Sequence, residues 1–203
     1  MNTDFISYKN FAKERDIYLC ASGETLNKHT KKENGLYICV NAAALKIQSD
    51  FFFVHDYTGA VPTYIETVKP NIDSFFGINQ YKKYSIPSEI IKKCQAKTYY
   101  PILSKNFELE LNENIIEHVS DGHSVIFPAA QFALWCSPKR IFLVGCDCTH
   151  KRFDGSNAER IIPNLMIKNW TKIKEFQKAY YPNTEIISIN PVGLKGIFKD
   201  IHE

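Results

Sequence analysis

The chain has 203 residues, 44% hydrophobic and 13% aromatic, with 25 basic against 22 acidic side chains and a formal charge of +3. A chain this long buries about 70% of its unfolded surface, so it needs neither disulfides nor a structural metal to hold a core. Ordinary apolar content with 9 Gly and 9 Pro excludes disordered, collagen-like and disulfide-scaffold classes, and so small a charge excludes a strongly basic nucleic-acid binder.

Residues 1–14 are polar and charged, without the apolar run of a secretory signal. The pattern predicts a helix over 5–15, then a strand at Asp16–Cys20 (DIYLC). Further strands are predicted at Leu36–Val40, 50–54, Arg140–Val144 and Glu185–Ile189, with weaker ones at 71–76 and 96–100. Each strong run is rich in β-branched or aromatic residues and nearly continuous in apolar character, as strands covered on both faces are. Helices are predicted over 87–94, 124–136 and 159–180, the last with Ile162, Leu165, Ile173 and Phe176 on one face. Residues 99–114 read as an irregular excursion over the sheet. Alternating strands and helices predict an α/β fold, a single Rossmann-like domain over residues 1–203 with a twisted, mostly parallel sheet and helices on both faces.

Six cysteines fall mostly inside apolar runs, where thiols act as small hydrophobes. With no signal segment, this reads as a reducing cytoplasm and six free thiols. No apolar stretch reaches the ~20 residues of a membrane span. Work at the inner face of the membrane, on a lipid-linked acceptor, is compatible with that reading.

Ligands of open α/β sheets bind beyond the carboxyl ends of the strands. After the first strand stand Ser22, Gly23 and Thr25: two hydroxyls and a close-approach glycine, or else a plain helix-capping turn. After the second, Asn41 offers a hydrogen-bonding amide beside three alanines, or a cap. His55 and Asp56 follow the third, as acceptor site, base or polar rim. Ser124 opens a helix whose N-terminus suits phosphate, and Asp147 follows the late strand. Cys146, Cys148 and His150, two apart, would share one side of an extended chain. Their spacing departs from that of structural zinc sites, so packing thiols are the better reading.

Taken together, Ser22-Gly23-Glu24-Thr25-Leu26, Val40-Asn41, the Ser124 helix, Ile141 to Asp147 and Ile189-Asn190-Pro191 resemble the sialyltransferase-like family of bacterial surface-glycan enzymes. That family includes the lipooligosaccharide sialyltransferases and related flagellin glycosyltransferase domains. The resemblance implies a nucleotide-binding Rossmann-like domain, a CMP-activated sugar as donor and a role in surface polysaccharide biosynthesis. It implies nucleotide contacts from Ser22, Gly23, Asn41 and Ser124, to which Thr25, Asp147 and Thr149 are added as neighbours of the same strand ends. Two departures stand out. Glu24 replaces the usual proline, and Thr149 stands where the sialyltransferases place a tyrosine against the leaving phosphate. The family's lid histidine has no counterpart in 151–160.

The expected reaction is sugar transfer from a CMP-sugar to a glycan or lipid-linked acceptor. Histidine titrates near neutrality and suits general-base work. His150 is the expected base, with His55 beside Asp56, or His123, as alternatives; Lys151 and Arg152 would neutralise phosphate charge. No D-x-D motif occurs, so metal independence and no cofactor are expected. No nucleic-acid partner is expected, and monomer and homo-oligomer stay open. The rival readings are a nucleotide-dependent pyrophosphokinase-like enzyme of the same superfamily and a non-catalytic nucleotide- or glycan-binding module.

Overall fold

The structure, a computed structural model, describes residues 1–67, 72–78, 85–104, 106–159 and 161–203. Its frame is a parallel sheet whose strands, in chain order, are β1 (Asp16–Cys20), β2 (Leu36–Val40), β3 (Phe51–Val54), β4 (Asp73–Gly77), β5 (Lys97–Tyr99), β8 (Arg140–Val144), β9 (Glu185–Ile189) and β10 (Lys199–Ile201). A separate parallel pair, β6 (Pro101–Ile102) with β7 (Val119–Ser120), lies between β5 and β8 in the chain. The sheet order is β10-β9-β8-β1-β2-β3-β4-β5. The chain therefore runs outward from β1 to β5, returns to the other side of β1, and runs outward again. That reversal between β1 and β8 makes a crevice at their carboxyl ends.

The strand side chains explain the pattern. Ile17, Leu19, Phe51, Phe53, Ile141 and Leu143 face one core, and their in-between neighbours Tyr18, Cys20, Phe52, Val54, Phe142 and Val144 face the opposite layer. Both faces are apolar because both are covered. On the first face lie α4 (Ile126–Trp135) and α5 (Pro163–Tyr180). Phe132 of α4 sits 4.9 Å from Phe75 and 5.3 Å from Phe53, centroid to centroid, in a cluster of rings with Phe5. The other face carries α1 (Ala43–Lys46), α2 (Val61–Thr67) and α3 (Ser88–Lys93).

Four predicted strands have the observed bounds, and the run at 50–54 is shorter by one residue. The weaker run at 71–76 is realised as β4, with residue 71 outside the described residues. The helix predicted over 5–15 is instead a 3₁₀ turn at Thr3–Tyr8 followed by irregular chain. Asn10 and Glu14 have φ of 60° and 65°, and the Asn10 and Ala12 N–H groups donate to the carbonyls of Trp135 and Cys136. Tertiary hydrogen bonds there replace helical ones. The last helix begins at Pro163 rather than 159, since proline suits a first helical position and disfavours helix in the residue before it. Its core face is Met166, Asn169, Trp170, Ile173 and Phe176, while Ile162 is exposed. All six cysteines are free. Among the described residues, no helix is long and apolar enough to cross a membrane.

Candidate functional site

A cavity of about 680 Å³ opens at the carboxyl edge of the sheet, over the β1/β8 crevice. The turns after β1, β2, β3 and β8 form its floor, through Ser22, Gly23, Asn41, His55, Asp56 and Cys146. The start of α4 and the segment leading into α5 wall it, through Ser124, Ile161, Ile162, Leu165 and Met166. Arg152 reaches it from the loop after β8.

The floor is built by buried polar bonds that brace one turn against another. Gly145 has φ +64°, and a Cβ there would overlap the Ala21 carbonyl oxygen, so only glycine lets β8 turn beneath the end of β1. The Gly23 N–H donates to the Gly145 carbonyl at 2.9 Å. Asp147 turns away from the cavity. Its Oδ2 accepts the Thr25 N–H at 2.9 Å and its Oδ1 accepts the Thr25 hydroxyl. The carboxylate thereby holds the 3₁₀ turn Glu24–Lys28 against the end of β8. Burial raises the Asp147 carboxyl above the usual range, and the two Thr25 bonds pull it back.

His55 and Asp121 meet in the cavity, 66 residues apart in the chain. His55 Nδ1 lies 3.1 Å from Asp121 Oδ1, and both residues are buried. Gly77 makes room for the ring, since a Cβ there would lie 2.8 Å from His55 Cδ2. Asp121 is delivered by the small sheet. Its N–H donates to the Ile102 carbonyl at 3.0 Å, while Gln131 of α4 grips Ser120 in both directions, at 3.0 Å and 2.7 Å. The carboxylate occupies Nδ1, which leaves Nε2 as the imidazole nitrogen open to chemistry. Such a pair can orient a histidine and stabilise it as it takes a proton.

Two polar groups in the lining lack partners. Asn41 Oδ1 and Arg152 Nε are buried atoms without a hydrogen-bond partner among the described residues. Asn41 also has φ +46°, a conformation asparagine tolerates better than most residues. Buried polar atoms are normally satisfied, so two unpaired ones on residues that line a single cavity mark it as a place where polar partners are missing. Arg152 is placed by backbone pairing. Gly23 bridges to it, its N–H donates to the Ser156 carbonyl at 3.0 Å, and the next residue, Phe153, donates its N–H to Ser22. Ser124 precedes α4, whose first N–H groups carry partial positive charge.

Of the residues singled out in the sequence, Ser22, Gly23, Asn41, His55, Asp56, His123, Ser124, Cys146, Cys148 and Arg152 line the cavity. Asp56 accepts the Thr58 hydroxyl at 2.7 Å. Thr25 and Asp147 lie beneath it as a structural pair. Thr149, His150 and Lys151 are not part of its lining. His150 is exposed, its Nδ1 against the Ala158 carbonyl at 3.1 Å. Extended spacing placed His150 beside Cys146 and Cys148, but Cys148 has φ +53° and the chain turns outward there. The two thiols stay inside, donating to the backbone carbonyls of Leu19, Val144 and Cys146. Among the described residues no group of three or more His, Cys, Asp or Glu side chains is arranged to share a metal ion. The residue missed from the sequence is Asp121, which carries no local signal beyond its place before a helix start.

No family model matches the sequence, and no curated protein does. A solved structure, the MAf glycosyltransferase from Magnetospirillum magneticum AMB-1, superposes with a TM-score of 0.56 over 98% of this chain at 12% identity. The two chains share an α/β fold. It spans 37% of the length of that neighbour. At this identity the likeness extends to the Rossmann-like α/β architecture, and the chemistry rests on the cavity itself.

Proposed function

We propose that the chain is a glycosyltransferase that uses a CMP-activated sugar, without a divalent ion, to glycosylate a bacterial surface-glycan or lipid-linked acceptor. The observation that carries the reading is the His55–Asp121 pair in one cavity with the unpaired buried polar atoms of Asn41 and Arg152. In this reading the nucleotide lies across the β1, β2 and β8 ends, against Ser22, Gly23 and Asn41. Its single phosphate meets Arg152, Ser124 and the start of α4, which are suited to one phosphate without a metal bridge. The acceptor hydroxyl attacks the anomeric carbon while the bond from that carbon to the phosphate oxygen breaks. His55 Nε2 takes the hydroxyl proton, Asp121 steadies the imidazolium, and CMP leaves with the bonding electron pair. The base is thus His55 rather than the exposed His150.

Nucleotide-dependent thermal melting tests the donor. A ligand at about 100 times its Kd stabilises the native state by about 2.7 kcal/mol. For a chain of this size that is a rise of roughly 5–10 °C in Tm. CMP is expected to produce it, and Asn41→Ala to remove most of it while leaving the unliganded Tm nearly unchanged. A larger shift with UDP, GDP or ATP would overturn the CMP assignment. No shift with any nucleotide at millimolar concentration would remove the basis of the transferase reading.

A further inference from the structure

We propose that Phe107 and His123 form an aromatic shelf that receives one pyranose ring of the acceptor, a saccharide site resting on the transferase reading above. The two rings lie 4.4 Å apart between centroids at 49° and both line the cavity. Phe107 has φ +56° and His123 φ +65°, a left-handed backbone that is uncommon outside glycine, above all for phenylalanine. Such backbone persists where the surroundings over-determine it, and it concentrates at ligand clamps. Here one buried amide joins the two turns. Asn169 of α5 is fully buried; its Nδ2 donates to the Phe107 carbonyl at 3.0 Å and the Gly122 carbonyl at 3.1 Å. Its Oδ1 accepts the Leu109 N–H at 3.0 Å. One side chain therefore holds both turns and keeps the two rings together.

Core packing does not account for this effort, because Phe107 is 40% exposed. The chemistry favours a sugar over a base. Leu103 and Ile162, which line the same cavity, have no side-chain donors or acceptors to read a base edge. A pyranose needs none of these on its C–H face, which packs on aromatic carbon while its hydroxyls stay in water. The position also fits. His123 stands two residues after Asp121, which holds His55, and one before Ser124. A ring on the shelf would present its hydroxyls close to the proposed base.

Saturation-transfer difference NMR on the full chain tests the shelf, with methyl β-galactopyranoside, methyl β-glucopyranoside and methyl N-acetyl-β-glucosaminide as probes. At least one glycoside is expected to receive saturation at its ring C–H protons from the wild type. That signal should fall roughly 5-fold in Phe107→Ala and persist in Phe107→Trp. The CMP-induced rise in Tm should be equal in all three proteins. The shelf is refuted if no glycoside is saturated by the wild type, or if Phe107→Ala saturates them equally. Loss of the CMP shift in Phe107→Ala would also refute it, by making the ring a base-stacking contact. If CMP shifts none of the proteins but the glycoside signal still depends on Phe107, the saccharide site stands and the donor reading falls.

Discussion

Replacing Thr25 by valine would remove one hydroxyl at nearly constant shape, and its consequences can be worked out from two hydrogen bonds. The hydroxyl donates to Asp147 Oδ1, and the Thr25 N–H, which valine keeps, donates to Oδ2 at 2.9 Å. Thr25 is 7% and Asp147 4% exposed, so water cannot replace the lost donor without opening the turn. A hydrogen bond to a charged group contributes about 1.5–3 kcal/mol. The added methyl recovers up to about 0.8 kcal/mol. The net loss at pH 7 is about 1–2 kcal/mol, a drop of roughly 2–8 °C in Tm at this chain length. The loss should also depend on pH. Burial raises the Asp147 carboxyl and the Thr25 bonds lower it, so valine raises it further. A carboxyl whose folded pKa is raised makes the native state the tighter proton binder, so its ionisation costs stability as pH rises through the folded value. The penalty of the substitution is therefore full where Asp147 is ionised in both proteins. It shrinks as pH falls through the variant's folded pKa and then the wild type's. Urea denaturation of both proteins from pH 8 to pH 4 measures it, because carboxylates elsewhere cancel in the difference. A penalty below about 0.5 kcal/mol at pH 7 would refute the reasoning, given the size of such bonds. So would a penalty that does not change with pH.

Two further substitutions test the cavity and its floor. Gly145→Ala should destabilise by roughly 2–4 kcal/mol, from the left-handed backbone and the overlap with the Ala21 carbonyl. A denaturation midpoint within error of wild type would contradict that account. Asp121→Asn should lower kcat of the proposed transfer reaction by about 10²–10⁴-fold with the donor KM unchanged, since Asp121 holds His55 Nδ1. His150→Ala should leave the rate within about 2-fold, and a loss there as large as that of Asp121→Asn would return the base to His150.

Much of the frame was legible in the sequence because the central strands are covered on both faces. A run such as Ile17-Tyr18-Leu19-Cys20 has to be apolar throughout when alternate side chains enter opposite cores. The parallel sheet in turn made the strand ends the places to look. Ser22, Asn41, His55 and Ser124 could be named because each follows a readable strand or opens a readable helix, and the topology brings such positions to one edge. Where a residue points after the strand has ended was not legible. Asp147 turns inward to Thr25, 122 residues away, and His150 turns outward once Cys148 takes a positive φ. The segment at 5–15 has helical composition, yet its N–H groups find Trp135 and Cys136, partners that exist only after folding. The His55–Asp121 pair belongs to the same class. Composition and period describe how a residue meets its near neighbours in the chain. A buried histidine–carboxylate pair or an amide clamp such as Asn169 joins atoms that only the packing of β7, α4 and α5 onto the sheet brings within 3.1 Å.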